Sequence, residues 1–292
     1  MTALRARDAL PSRRAARGAF ERAGARFADA SVVHDETRQK LLSRLEFTCI
    51  DPERIVDLGC AHGGGASALA GRFPGARVLA VDTSTAMLAA ARRRCGAVAE
   101  WLCADAECLP LPARAAGLVF ANMLLPWCRP ERLFAETARI LDVSGLFVFS
   151  TLGPDSLEQL RRAWAGADDS IHVHGFFDMH DLGDLLVGAG LAEPVLDVDR
   201  IQLTYADVRS LVADLRATGG INVAAGRRRG LTGRGRWEAF EQAMLSTRRG
   251  GRFAVTLELI FGQAWGRAPA PERGGPPGEF AVPIQRIRRR SG

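Results

Sequence analysis

The stretch Ile55-Val56-Asp57-Leu58-Gly59-Cys60-Ala61-His62-Gly63-Gly64-Gly65 constrains this chain more than any other. An apolar run carrying one acid stops in small residues, and a helical pattern, Ala66 to Phe73, follows. That order reads as a buried parallel strand, a tight turn and a helix N-terminus, a unit that brings backbone N–H groups up against a ligand. About twenty residues on, Arg77-Val78-Leu79-Ala80-Val81 reads as a second buried strand ending in Asp82. Asp82 holds the acidic position which, in strand–turn–helix–strand nucleotide sites, accepts hydrogen bonds from a ribose diol. The glycine spacing is not the dinucleotide G-x-G-x-x-G. It is closer to D-x-G-x-G-x-G with Ala61 in place of the middle glycine. A dinucleotide turn faces an anionic pyrophosphate and has no need of Asp57, whose charge suits a ligand ammonium or a turn N–H. An ordinary βα turn with incidental glycines is the plain alternative.

The same rhythm continues along the chain. Ser84 is placed to cap a helix carrying Met87, Leu88 and Ala91. Strands are expected at 100–103, 118–121 and 146–150, with a helix over 130–141 and a turn at Ser144-Gly145 before the last of these strands. Strands alternating with helices indicate a parallel sheet covered on both faces, whose ligands gather at the carboxyl ends of the strands. Asp57, Gly59, Asp82, Asp105 and Asn122 all fall there. Ahead of the first strand, Phe20, Ala23, Phe27 and Ala30 recur at helical spacing from Arg17 onward, and a second helix is expected from Asp35 to Leu45. These helices either cover a sheet edge or close over the ligand pocket. Later, Pro154-Asp155 opens a helix through Trp164, and another is expected over 178–189. Strands at 194–204 and 253–261 enclose a long insertion: a helix at 206–217, a Gly/Arg-rich loop and a helix at 236–247. An insertion of that size is usually functional or a lid.

A chain of 292 residues fits one large α/β domain with additions. No run approaches the length of a membrane span, and the Arg-rich N-terminus lacks the apolar segment of a secretory signal. No stable membrane association is expected. The six cysteines form no C-x-x-C pair and have no histidines at zinc spacing, which reads as a reduced cytoplasm without a disulfide framework or a metal site. Cys60 and Cys103 are expected in buried strands. Lys40 is the only lysine, and the net charge of +6 suits an acidic partner protein as well as nucleic acid. Nucleic acid is disfavoured, because no N/D-P-P-Y/F motif follows the fourth strand and the basic residues form no aromatic-interleaved patch.

Asp57-Leu58-Gly59 with Gly63, Val81-Asp82-Thr83-Ser84 with Met87-Leu88, and Asp105-Ala106-Glu107-x-Leu109-Pro110 resemble the successive motifs of class I S-adenosylmethionine (SAM)-dependent methyltransferases. Asn122-Met123-Leu124-Leu125-Pro126-Trp127-Cys128 resembles the SNL-x-x-QWC segment of one family among them. The segments Ser150 to Leu157, His172-Val173-His174, Asp178 to Asp181 and Gly226 to Gly233 resemble later segments of that family. It is the malonyl-acyl carrier protein O-methyltransferases of biotin synthesis, and the similarity runs from about residue 17 to 266.

The resemblance implies a Rossmann-like α/β fold, a seven-stranded, mostly parallel sheet with helices on both faces, N-terminal helices and a helical insertion before the last strand. It divides the chain into a flexible N-terminus (1–16), a methyltransferase domain (17–266) and a flexible basic tail (267–292). Within the domain it implies cap helices at 17–47 and a helical lid at 205–250. The implied cofactor is S-adenosyl-L-methionine. Asp57, Gly59, Ala61 and Gly63 go to the turn beneath its methionine part, Asp82 to the ribose, Met87 to packing beside the adenosine, and Asp105 with Ala106 to the adenine edge. Asn122 goes to the end of the fourth strand, next to where the methyl should sit. No catalytic residue is assigned; Asn122, Trp127 and His174 are candidates for positioning the acceptor, with His172 and His180 also near. The implied partner is acyl carrier protein carrying a malonyl group, with Arg227, Arg228 and Arg229 in contact with it. Each assignment has a structural alternative: Asp82 and Asp105 as caps of turns, Met87 as core, and the histidines and arginines as solvated loop residues.

Four residues depart from the family pattern. Ala61 stands where glycine is usual, Gly117 replaces an acid, Phe27 replaces a tyrosine and Pro126 a glutamine. Two other functions therefore stay open: a methyltransferase with another acceptor, such as a protein side chain in complex assembly, and a cofactor-free relative that only binds a partner.

Overall fold

The computed structural model describes residues 10–267. The first nine residues of the expected flexible N-terminus and the basic tail beyond residue 267 lie outside the described residues. The strands are β1 (Arg54–Leu58), β2 (Arg77–Asp82), β3 (Glu100–Cys103), β4 (Ala116–Asn122), β5 (Leu141–Leu152), β6 (Ala192–Tyr205) and β7 (Phe253–Trp265). They form one sheet in the order β3-β2-β1-β4-β5-β7-β6, parallel from β3 through β5, with β7 antiparallel to both of its neighbours. The chain works outward from β1 to β3, then returns to lay β4 on the other side of β1. That reversal opens a crevice at the carboxyl ends of β1 and β4.

The helices, in chain order, are α1 (Arg13–Ala23), α2 (Phe27–Ala30), α3 (Val32–Arg44), α4 (Gly64–Arg72), α5 (Thr85–Cys95), α6 (Pro130–Ile140), α7 (Glu158–Ala165), α8 (Met179–Gly188), α9 (Val208–Ala217) and α10 (Arg234–Ser246). Successive strand residues point to opposite faces. Ile55, Leu118, Phe120, Leu146 and Val148 therefore join one buried cluster with residues of α3, α4, α5, α7, α9 and α10. Val56, Val119, Ala121, Phe147 and Phe149 join a second cluster with residues of α6 and α8. Strands apolar on both faces are what a sheet sandwiched between helices requires.

Several elements differ from expectation. Ser144-Gly145 does not separate a turn from a strand: β5 runs through it. The pairing with β4 jumps from Ala116↔Leu141 to Leu118↔Leu146, so the extra residues form a bulge. The helix expected from Arg17 begins at Arg13 and breaks at Gly24. At Gly24 α1 crosses α5 so closely that a Cβ would stand 2.9 Å from Ala86 Cβ. Cys60 is buried as expected, but Cys103 is exposed, because β3 is the edge strand and is paired on one side only, to β2. Gly117 lies against Pro52 inside β4, away from the crevice, so the missing acid there bears on packing alone.

The insertion, expected as a lid, packs on the sheet and on α1 and does not itself line the crevice. Trp164 of α7 is stacked between His172 (ring centroids 3.8 Å apart) and Phe240 of α10 (4.1 Å). This stack ties α10 into the first core, and no residue of 205–250 lines the crevice. The covering role falls instead to α1. Glu21 accepts the N–H groups of Thr85 (2.8 Å) and Ala86 (3.0 Å), while Ser84 accepts that of Met87 (3.2 Å) as expected. Three of the donors that α5 cannot satisfy internally are thus met, two of them by a side chain of the helix above.

Candidate active site

A cavity of about 460 Å³ opens at the carboxyl ends of β1, β2 and β4. Its floor is the turn from Gly59 to Gly65, and its roof is α1, α2 and the start of α3, through Arg13, Arg14, Arg17, Phe20, Phe27, His34 and Arg38. Asp57, Asp82, Asp105 and Asn122, the four polar strand-end residues expected together, all line it.

Asp57 is 2% exposed, and its Oδ2 has no hydrogen-bond partner. Burial is the main cause that pushes its carboxyl up to about 7, against the Ala66 N–H that favours the anion; the charge of Asp82 adds to the rise. Asp82 is likewise raised, to about 6, by burial, although Oδ1 accepts the Ser84 N–H (2.8 Å) and Oδ2 the Ala61 N–H (3.0 Å). Asp82 therefore does shape the turns on either side of it, and still faces the cavity. Asp105 accepts the Glu107 N–H (2.9 Å) and is ion-paired with Arg13, which also stands 3.7 Å from Glu107. Arg13 thereby fastens the first turn of α1 across this end of the cavity. Ala106 is buried in the same wall.

Gly59 and Ala61 line the cavity at φ +68° and +45°. Ala61 is thus an alanine in a conformation suited to glycine, where a Cβ costs on the order of 1–2 kcal/mol. Its neighbours Ala23, Phe27 and Met87 form a small apolar cluster with it. Met87 is fully buried in that cluster and does not reach the cavity, because Phe27 and Ala61 lie over it. Gly63 also turns away from the cavity. At φ +84° it faces α5, and a Cβ there would stand 2.9 Å from Cys95 Sγ.

Asn122 is fixed on both sides of its amide. Its Oδ1 accepts the Ser150 hydroxyl (2.7 Å), and its Nδ2 donates to the His34 carbonyl (2.9 Å), which pins α3 to the end of β4. Trp127 lines the cavity, edge-on to Phe20 with ring centroids 5.1 Å apart. His174 does not line it. It is buried behind Trp127 (5.1 Å), where desolvation holds its pKa down to about 4. His172 is taken by Asp168 (2.7 Å) and the Trp164 stack, and His180 is exposed, so neither belongs to the site.

The histidines at the site are His34 and His62, which sequence reasoning passed over. His62 is 4% exposed, with neither ring nitrogen hydrogen-bonded, and burial lowers its pKa. Burial pushes His34 down to about 4, so it is neutral at physiological pH. Phe27 sits between them, 4.9 Å from one ring and 5.3 Å from the other. His62 lies inside the turn motif, a signal in plain view. His34 and Arg38 share a helix face at i,i+4 spacing, but nothing in the sequence aims that face at the cavity.

An acid-tipped first strand, a glycine-rich turn, a second strand-end acid and an antiparallel seventh strand inserted beside β5 define a class I SAM-dependent methyltransferase. The residues fit that cofactor. An orphaned carboxylate oxygen and an orphaned imidazole face a cavity of ligand size, and at Gly65 a Cβ would stand 2.7 Å from Asp57 Oδ2, closing the approach. The methyltransferase-domain family matches residues 56–149, the span from β1 to β5. Two solved structures share the fold: the YcgJ protein of Bacillus subtilis (TM-score 0.57, 16% identity, 80% of this chain and 99% of that one) and a SAM-dependent methyltransferase of Thermotoga maritima (TM-score 0.53, 18% identity, 86% and 100%). The malonyl-[acyl-carrier protein] O-methyltransferase of Laribacter hongkongensis is 42% identical over 88% of this chain and 90% of its own length. That of Gallionella capsiferriformans is 39% identical over 90% and 94%. The chain belongs to the malonyl-[acyl-carrier protein] O-methyltransferase family.

Proposed function

We infer that this protein transfers the methyl group of SAM to the free carboxylate of a malonyl thioester on acyl carrier protein, an early step towards the pimeloyl chain of biotin. The observation that carries the reading is the reach of the similarity. Relatives named for this reaction match the chain over 88% and 90% of its length, beyond the 56–149 core common to many methyltransferases.

When bound, SAM supplies an electrophilic methyl group on a sulfonium. Asp57 is suited to its ammonium, Asp82 to the ribose hydroxyls, and Asp105 with Ala106 to the adenine edge. The acceptor carboxylate is already an anion and needs no general base. The work left to the protein is to exclude water, orient the oxygen and hold it close. Phe20, Phe27 and Trp127 supply apolar wall around the cavity. His174 buttresses Trp127 from behind, and Asn122, locked by Ser150 and the His34 carbonyl, sets the rim where β4 ends.

An acidic carrier protein would meet basic residues at the entrance. Arg14 and Arg17 are exposed on α1 where it borders the cavity, and Arg228 and Arg229 are exposed on the loop beyond it, next to half-buried Arg227. That loop is joined to the start of α1: Ser12 N–H donates to the Val223 carbonyl (2.8 Å), and Ala225 N–H donates to that of Leu10 (2.9 Å). Such a substrate places the reaction in the cytoplasm. Among the described residues no helix is long and apolar enough to cross a membrane.

The test is methyl transfer from labelled SAM to malonyl-acyl carrier protein, followed by mass spectrometry of the carrier. A methyl ester on the malonyl group is expected. Tight binding of S-adenosylhomocysteine without label on any malonyl thioester would overturn the choice of acceptor.

A further inference from the structure

We propose that a second cavity, between α1 and α9, holds the phosphate of the phosphopantetheine arm on which a carrier protein presents its malonyl thioester, and that the arm passes Phe20 to reach the first cavity. The proposal rests on the acceptor inferred above.

This cavity, of about 430 Å³, has a floor of small apolar residues and a rim of three exposed arginines: Arg22 in the last turn of α1, Arg26 just beyond it and Arg216 in the last turn of α9. No acidic residue among the described ones lines it. The acids nearest in sequence are engaged elsewhere, Glu21 with Thr85 and Ala86, and Asp214 with Tyr205. A single arginine in the last turn of a helix serves the helix dipole. Three around one cavity repel one another, and an anion bound between them relieves that repulsion. A phosphate ester suits them best, because its oxygens match the planar donors of a guanidinium.

The wall between the two cavities identifies the anion as one end of a longer ligand. Phe20 lines the first cavity beside Trp127. It also rests on Gly219, which lines the second: a Cβ there would stand 2.8 Å from Phe20 Cδ1. Ala23, on the floor of the second cavity, packs with Phe20 in the cluster beneath the first. One ring thus separates the two spaces, and the residues it rests on are small, so a rotation of that side chain opens a passage. A free phosphate needs only the arginine rim. An apolar floor and a passage towards Trp127 and the end of β4 fit an anion that carries a slender, uncharged arm with the reacting carboxylate at its far end.

The test is calorimetric binding of phosphopantetheine, pantetheine and inorganic phosphate to the protein saturated with S-adenosylhomocysteine. Wild type should bind phosphopantetheine about 10-fold more tightly than pantetheine, the value of one charge-assisted hydrogen bond, and high salt should shrink that preference. Arg22→Ala combined with Arg216→Ala should remove the preference without weakening S-adenosylhomocysteine, whose cavity neither residue lines. Arg22→Lys combined with Arg216→Lys should keep part of it. The KM for malonyl-acyl carrier protein should rise in the double alanine variant by a similar factor. Phosphopantetheine should also shift the fluorescence of Trp127, edge-on to Phe20, and Trp127→Phe should remove that shift. Equal binding of the two arms by wild type, or a preference that survives the double alanine variant, would overturn the proposal. So would inorganic phosphate binding as tightly as phosphopantetheine, since the arm would then add nothing. Weaker S-adenosylhomocysteine binding in the double alanine variant would overturn it too, since the arginines would then act through the fold. A preference for phosphopantetheine without methyl transfer to malonyl-acyl carrier protein would uphold the site and remove the choice of acceptor.

Discussion

Asp57 should destabilise the ligand-free protein at neutral pH, and Asp57→Asn measures by how much. Its side chain is 2% exposed with one oxygen unpartnered, and burial pushes its carboxyl up to about 7 from 3.8. Below pH 3.8 the group is neutral both folded and unfolded, and contributes no pH dependence. As pH rises from there the unfolded chain releases the proton first, so stability falls until the folded carboxyl also ionises near 7. A gap of roughly three pH units at about 1.4 kcal/mol each is about 4 kcal/mol. Asp82, raised to about 6, adds a loss of the same sign. The assay is urea unfolding of the ligand-free protein at pH 4.5, 6 and 8. Wild type should lose stability across the series. Asp57→Asn keeps the shape and an acceptor oxygen, so it should be close to wild type at pH 4.5 and more stable by about 2–4 kcal/mol at pH 8. The same variant should bind S-adenosylhomocysteine about 10- to 100-fold more weakly, through loss of a charge-assisted contact. Parallel pH curves for the two proteins, or a variant less stable at pH 8, would refute the reasoning: the carboxylate would then be compensated in the folded state.

Three further outcomes are expected. Ala61→Gly relieves the left-handed backbone but removes a methyl from the Phe27–Met87 cluster; these terms of about 1 kcal/mol each oppose. Its denaturation midpoint should barely move, while a gain in S-adenosylhomocysteine affinity would show that the Cβ hinders the cofactor. Gly63→Ala should destabilise by roughly 2 kcal/mol or more in urea, since it combines a positive φ with a clash against Cys95. Glu21→Ala removes the acceptor that joins α1 to the head of α5 and should cost about 1 kcal/mol. Its signature is faster hydrogen exchange in α1 and around Thr85 than in the sheet; uniform exchange would argue against a local latch.

The acids on the cavity floor were legible because they are local. Asp57, Gly59 and Asp82 sit where an apolar run gives way to a turn, and each can be placed on a strand end by counting along the chain. Asp105 and Asn122 followed from the same rule applied to β3 and β4. Less was legible where a residue's direction depended on another element. Met87 is in the right helix but faces inward under Phe27, and Gly63 serves the packing of α5. His172 and His174 drew attention through the family resemblance, yet they are spent on Asp168, Trp164 and Trp127. The insertion stood out by length, and its last helix is joined to α7 through the Trp164–Phe240 stack, a contact between distant segments that no local pattern announces.

By itself the sequence determined the alternation of strand and helix, the crevice and the acids around its floor, because period-two and period-3.6 patterns and turn chemistry act over a few residues. Only the tertiary structure decided what covers that floor. Arg13, Glu21, Phe27, His34 and Arg38 come from segments before the first strand, and they meet Asp105, Thr85, Ala61, Asn122 and Gly64 across intervals that carry no periodic signal. Those pairings depend on where α1 and α3 come to rest on the finished sheet, and that packing exists only once the whole domain has closed.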